Sequence, residues 1–164
     1  MELYVRNLTK NKELTLVIPM PSEKLDSILG ADEFIILDSD KLGNYIGELA
    51  NIKEINNIMN DIDDLDTFEL LCTALYDIKE AYKVYINGDY SIIDFDSETS
   101  VYDNTWNFFS ENDKGRLLYE LGFKALPFEI DDDYLDWIDF TGLYNEAVTG
   151  GNFYEVDNRY MIIL

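Results

Sequence analysis

Apolar residues stand at alternate positions near the start of the chain, and beyond residue 50 they recur at every third or fourth position. The stretches "ELYVRNL" and "LTLVIP" predict two strands separated by a polar turn from Asn7 to Lys12, and "EFIILDS" predicts a third. Between the second and third strands, Leu25, Ile28 and Leu29 fall at helical spacing. Ser22 stands where that helix needs an N-cap, and Gly30 where it needs a left-handed stop. Residues 1 to 49 should form a small antiparallel sheet carrying one helix.

Helical spacing governs the middle of the chain. Ile52, Ile55, Ile58 and Met59 share one face of "NIKEINNIMND", and Phe68, Leu71, Cys72 and Leu75 share one face of "DTFELLCTALYDI". Asp66, with Glu69 three residues on, has the spacing of a capping box, which would set carboxylates at the positive end of a helix. A further helix over "IKEAYKVYI" should stop at "NGD", followed by a strand in "YSIIDF" and a helix through "VYDNTWNFFS". Toward the C-terminus "KGRLLYELGF" reads as a helix, and "DDDYLDWIDF" as the start of a short one that buries Tyr134, Leu135, Trp137, Ile138 and Phe140. Gly150 and Gly151 read as a turn, and "NFYEVDNRYMIIL" as a closing hairpin that reverses at Asp157 and Asn158.

The expected fold class is α+β, an elongated chain of small subdomains. These are an N-terminal antiparallel sheet with one helix (1–49), a central, mainly helical, acidic part (50–113), and a C-terminal α+β part ending in a hairpin (114–164).

Charge changes the picture. The 164 residues hold 34 Asp and Glu against 12 Lys and Arg, with no His, for a formal net charge of -22. A small domain needs a net charge of only ~2 to 8 in magnitude for solubility. So acidic a chain would ordinarily be disordered, yet 47% of its residues are hydrophobic and 14% aromatic, which is the composition of a folded protein. The charge is also uneven: the balance is -4 over 1–49, -12 over 50–113 and -6 over 114–164.

The same composition narrows the chemistry. Without His the chain lacks the commonest general base and the commonest zinc or iron ligand, and the single Cys72 can form no internal disulfide. No phosphate-binding glycine motif and no nucleophile elbow is present. Two acidic runs approach a calcium loop. In "DIDDLDTFELLC", however, Asp66 stands where the loop needs Gly and Cys72 where it needs Glu, and "DFDSETSVYDNT" fails likewise at Thr99 and Thr105. The expectation is a non-enzyme with no cofactor and no metal. With no run of the ~18 apolar residues that a membrane span requires, it is expected to be soluble and cytoplasmic.

Charge itself then becomes the candidate function. Duplex DNA carries one negative charge per ~1.7 Å of axis, so the net charge of this chain corresponds to ~37 Å of duplex, and that of a dimer to ~75 Å. Carboxylates three or four residues apart on a helix lie ~5 to 6 Å apart, a spacing that a Lys- and Arg-lined groove reads as phosphates. The blander readings are that the acids only solvate the surface, or that they reflect adaptation to salt.

Three segments carry a resemblance. "YIGELANIKEINNIMNDI" resembles the "IGELN" segment that begins the central helices of the ArdA antirestriction proteins. "IKEAYKVYINGDYSIIDFDS" is similar to that family's helix, turn and strand around "GDY". "LGFKALPFEIDDDYLDWIDFTGLYNEAVTGGNFY" resembles its C-terminal stretch, where a "YIDY"-type helix is followed by a second short helix and a "GxF" strand. The three matches run in order from about residue 45 to the C-terminus. Where the family follows its tyrosine with "GRD", this chain has Asn145, Glu146 and Ala147 after Tyr144.

The resemblance implies a DNA mimic of mobile elements or phage that fills the DNA-binding groove of type I restriction-modification enzymes, binds no nucleic acid or membrane itself, and is an elongated homodimer. An anti-CRISPR inhibitor, or another inhibitor of a nucleic-acid-binding complex using the same acidic surface, is the alternative. Carried onto this chain, the phosphate surrogates are Asp61, Asp63, Asp64, Asp66, Glu69, Asp94, Asp96, Glu98 and Asp103 in the central part, and Asp131, Asp132, Asp133, Asp136, Asp139 and Glu146 in the C-terminal part. Tyr134, Trp137, Phe140 and Tyr144 would supply the dimer contact.

Overall fold

A computed structural model describes residues 1–47, 50–94, 110–122, 130–156 and 160–163. All but Ser110 of the helix expected through 101–110, the turn at Asp157 and Asn158, and the candidates Asp96, Glu98 and Asp103 lie outside the described residues. The fold is α+β and separates into two compact units, Met1–Asn87 and Gly88–Leu164.

In the first unit β1 (Glu2–Asn7) lies between β2 (Lys12–Val17) and β3 (Phe34–Ser39), antiparallel to both. The alternation in the sequence becomes one buried face: Leu3 and Val5 are fully buried, with Leu16 and Ile36 beside them in the core. Helix α1 (Ser22–Leu29) buries Leu25 and Leu29, and Gly30 ends it at φ 55°, a backbone that other residues rarely adopt. Its start differs from expectation. Pro21, not Ser22, holds the N-cap position, and the Pro21 carbonyl accepts from the amides of Lys24 (3.0 Å) and Leu25 (3.1 Å). Proline gives up no useful donor there, so Ser22 becomes the first helical residue and its hydroxyl makes no cap.

Helices α2 (Ile52–Asp61), α3 (Leu65–Leu75) and α4 (Ile78–Asn87) complete this unit, with α3 packed on α4. The expected stripes are buried: Ile52, Ile55, Ile58 and Met59 on α2, and Phe68, Leu71 and Cys72 on α3, where Ala74 rather than Leu75 completes the face. Asn51 caps α2 by accepting from the amides of Lys53 and Glu54.

The charge step between residues 49 and 50 is not a boundary in space. Asn56, only 2% exposed on α2, accepts from the Met20 amide at 2.8 Å and donates to the Met20 carbonyl at 3.0 Å. Lys41 reaches Glu69 at 3.1 Å, and the Tyr45 hydroxyl bonds that of Thr73 at 3.0 Å. Charge composition records what faces water, whereas units follow from what is packed.

In the second unit α5 (Glu111–Glu120) starts with a complete capping box between Ser110 and Asp113 and packs on α6 (Thr141–Thr149). Contact there is close enough to require glycine, because a Cβ on Gly115 would lie 2.0 Å from the Phe140 carbonyl oxygen. Leu117, Leu118, Ala147 and Phe153 form the core, with Ile93, Leu143 and Tyr144 packed against it. The closing hairpin is present as β5 (Phe153–Val156) antiparallel to β6 (Tyr160–Ile163). Strand β4 (Ser91–Asp94) adds to the other edge of β6, pairing Ile92 with Ile162, so β6 is central in a three-stranded sheet.

The stretch after Asp131 departs from the expectation that its apolar residues are buried together. Residues Asp132–Trp137 form a 3₁₀ helix in which Leu135 is buried, while Tyr134 is 64% and Trp137 85% exposed. Phe140, just beyond, is buried and Ile138 half-buried. Three residues per turn place Tyr134 directly below Trp137, so one row of the helix turns inward and the aromatic row turns out.

Candidate functional site

The densest group of candidate carboxylates lies between α2 and α3. Asp61 ends α2, Ile62 leaves the helical conformation, and Asp63 and Asp64 stand in the short connection, all three aspartates exposed. Asp64, not Asp66, caps α3: its extended backbone (φ -120°, ψ 93°) precedes the first turn, and its Oδ1 accepts from the Thr67 amide at 3.1 Å. That bond holds the Asp64 carboxyl below the usual carboxylate range. Asp66 already lies inside the helix, and Glu69 is engaged by Lys41 instead of closing a capping box.

Two tyrosines of α4 reach this connection. Tyr82 and Tyr85, three residues apart, share a face of the helix. The Tyr82 hydroxyl donates to Asp61 Oδ2 at 2.5 Å. The Tyr85 hydroxyl donates to Asp63 Oδ1 and accepts from the Asp64 amide at 3.0 Å. The Tyr85 ring is itself fixed, edge-on to fully buried Phe68 with centroids 5.8 Å apart. The hydrogen bond to Asp61 raises the Tyr82 pKa above that of a free phenol; burial, then the bond to Asp63, does so for Tyr85.

Elsewhere in this unit several carboxylates are held by cations, Glu13 by Arg6, Asp26 by Lys53 (2.5 Å), Glu54 by Lys79 (2.8 Å), Glu80 by Lys83 (2.8 Å) and Glu69 by Lys41, while Glu2 accepts from the Tyr4 hydroxyl at 3.0 Å. Among the described residues no Lys or Arg is paired with Asp61, Asp63, Asp64 or Asp66.

In the second unit the candidates divide by role. Asp131 caps the 3₁₀ helix through the Asp133 amide, and Asp139 accepts from the Thr141 amide at 2.9 Å, with hydrogen bonding to Thr141 lowering its pKa. Asp136 is paired with Arg116 at 2.6 Å, and Arg116 also reaches Glu120 at 3.0 Å. Asp133 and Glu146 are exposed, Asp94 lies half-buried on β4, and Asp132 opens the 3₁₀ helix.

Of the four residues expected at a dimer contact, two are committed to their own unit. Phe140 is buried against Tyr119, and Tyr144 packs edge-on to Phe153 while its hydroxyl donates to Glu155 at 3.1 Å. Burial, then the charge of Glu155, pushes the Tyr144 phenol up to about 12. Tyr134 and Trp137 are the two that face outward.

Cys72 is buried and its thiol is pushed up to about 12, which keeps it from acting as a nucleophile. Among the described residues no three Cys, Asp or Glu side chains converge to hold a metal ion, and no helix is long and apolar enough to cross a membrane.

Sequence reasoning missed the roles of Tyr82, Tyr85 and Tyr76. The first two carried a signal, since tyrosines three apart on a helix that comes after an Asp-rich turn are placed to bond it. Tyr76, 80% exposed, ends α3 in a left-handed conformation (φ 54°) that nothing in the sequence announces. No protein-family model matches the chain, and no curated protein matches it in sequence.

Proposed function

We propose that this protein is a non-catalytic DNA mimic that occupies the DNA-binding groove of a type I restriction-modification enzyme, in the manner of the ArdA antirestriction proteins. The observation that supports the reading best is the exposed Asp61, Asp63 and Asp64, which are ordered by hydrogen bonds and, among the described residues, paired with no Lys or Arg. A coat that only solvates the surface needs neither the fixed geometry nor the missing counter-charge. In this reading Asp131 and Asp133 add negative charge on the second unit, whereas Asp136 and Glu69 contribute less because Arg116 and Lys41 offset them. The protein acts as a homodimer in which Tyr134 and Trp137 supply the outward-facing aromatic contact.

Each exposed ion pair with the partner contributes only ~0 to 1 kcal/mol, so inhibition is spread over many carboxylates and no single Asp-to-Asn change abolishes it. The test is competition with duplex DNA for a purified type I methyltransferase core, measured from 0.1 M to 0.5 M salt. Displacement of DNA should weaken steeply over that range as the Debye length falls from ~10 Å. The protein's own melting temperature should rise over the same range, because screening relieves its self-repulsion. Affinity that stays flat with salt would sink the DNA-mimic reading. Salt-dependent binding to a CRISPR effector in place of the methyltransferase core would transfer it to the alternative target.

A further inference from the structure

The acids of the α2–α3 connection are held without a cation, Asp61 and Asp63 by phenols, as Glu2 is by Tyr4, and Asp64 by a backbone amide, whereas Asp26, Glu54, Glu69 and Glu80 of the same unit are held by lysines. Lysine would also fix a carboxylate in place, as Lys41 does for Glu69, but it removes a unit of net charge when it does so. A phenol hydroxyl fixes the oxygen and leaves the charge. We propose that Tyr82 and Tyr85 are positioning residues of the partner-binding surface, neutral donors that fix where the Asp61 and Asp63 carboxylates and the Asp64 backbone stand while leaving their full negative charge for a cationic partner.

The geometry supports each part of this. Tyr82 bonds the last residue of α2, and Tyr85 bonds Asp63 and the Asp64 amide, so the two hydroxyls hold the connection from its start to the cap of α3. Tyr85 transmits the rigidity of the core, because its ring rests on Phe68 and α4 is packed on α3. Both phenols titrate above the ordinary tyrosine value and therefore stay protonated, and stay donors, at neutral pH. Without them four aspartates within six residues would repel one another, and the connection would have to be ordered at the moment of binding. Ordering cost paid on association weakens affinity chiefly through faster dissociation, whereas long-range attraction between charges sets the association rate.

The inference rests on the DNA-mimic reading, and the experiment separates the two. The double variant Tyr82→Phe/Tyr85→Phe keeps both rings, including the contact with Phe68, and every charge. Its binding to the type I methyltransferase core should weaken about tenfold, at the low end of what three lost hydrogen bonds can contribute, with the loss in the dissociation rate. Its association rate and the salt dependence of its affinity should match wild type. Asp61→Asn/Asp63→Asn should instead slow association and flatten the salt dependence. Amide hydrogen exchange gives a readout without partner: protection at Asp64 should be lost in Tyr85→Phe and retained in Tyr82→Phe. Unchanged affinity in the double variant, or a loss that appears in the association rate and salt dependence, overturns the positioning role while the DNA-mimic reading stands. Failure of the wild-type protein to bind the core overturns that reading and the positioning role with it.

Discussion

Asn56 offers the sharpest test of how the acidic helices are joined to the N-terminal sheet. Its amide is the only side chain bonded to the Met20 backbone among the described residues, accepting from the N–H at 2.8 Å and donating to the carbonyl at 3.0 Å. Asn56→Ala leaves both backbone groups without that partner. A polar group orphaned in the interior costs ~1 to 3 kcal/mol, and Met20 is only half-buried, so water can satisfy part of the loss. The expected destabilisation is about 2 to 4 kcal/mol, once the small cavity left by the side chain is included. Asn56→Leu, close in volume, should lose a similar amount, because the orphaned groups belong to Met20 and not to residue 56.

Urea unfolding followed by far-UV circular dichroism measures this. Dichroism reads the helices α2, α3 and α4 that Asn56 helps to anchor. The dichroism transition should move to lower urea and lose amplitude at its former midpoint. A loss below about 1 kcal/mol in both variants would show that these two bonds are replaced by solvent at no cost, and the argument from burial would fail.

Two further outcomes concern the acid cap and the exposed tryptophan. Because the Asp64 carboxyl is held below its ordinary value of 3.8, its cap stabilises the fold fully above that value and is lost as pH falls through the lower folded value; melting temperatures taken from about pH 5 to pH 2 should fall less steeply in Asp64→Asn, and an unchanged acid limb would show that the cap contributes nothing. Trp137→Ala removes the most exposed large apolar side chain of the described residues, so sedimentation should show a weaker dimer with the melting temperature of the monomer unaltered; wild-type protein that stays monomeric at micromolar concentration would remove the dimer from the reading.

Much of this fold was legible in the sequence because it depends on local period. Alternation marked β1, β2 and β3, helical spacing marked α2, α3 and α4, and glycines at positions 30 and 88 marked stops that adopt positive φ. Caps were legible only to within a residue or two. Ser22 against Pro21, and Asp66 against Asp64, differ by which backbone first turns helical, and several competent side chains stood at each start. The resemblance and the charge pointed to acids on these segments, but neither could tell an acid that faces a lysine from one held by a phenol.

Composition and periodicity by themselves determined that this chain folds, that it is α+β, and that it carries far more negative charge than folding requires. Those properties sum over residues or repeat along short stretches, so they need no knowledge of distant partners. Tertiary structure alone decided that β4 joins β6 across some seventy residues, that Asn56 ties α2 to Met20, and that Trp137 faces outward. It also decided which carboxylates keep their charge: Glu69 and Asp136 meet a cation brought from elsewhere in the chain, and Asp61 and Asp63 meet tyrosines twenty-one and twenty-two residues away. Such pairings depend on how close the fold brings residues far apart in sequence, and neither the period nor the composition of a chain contains that distance.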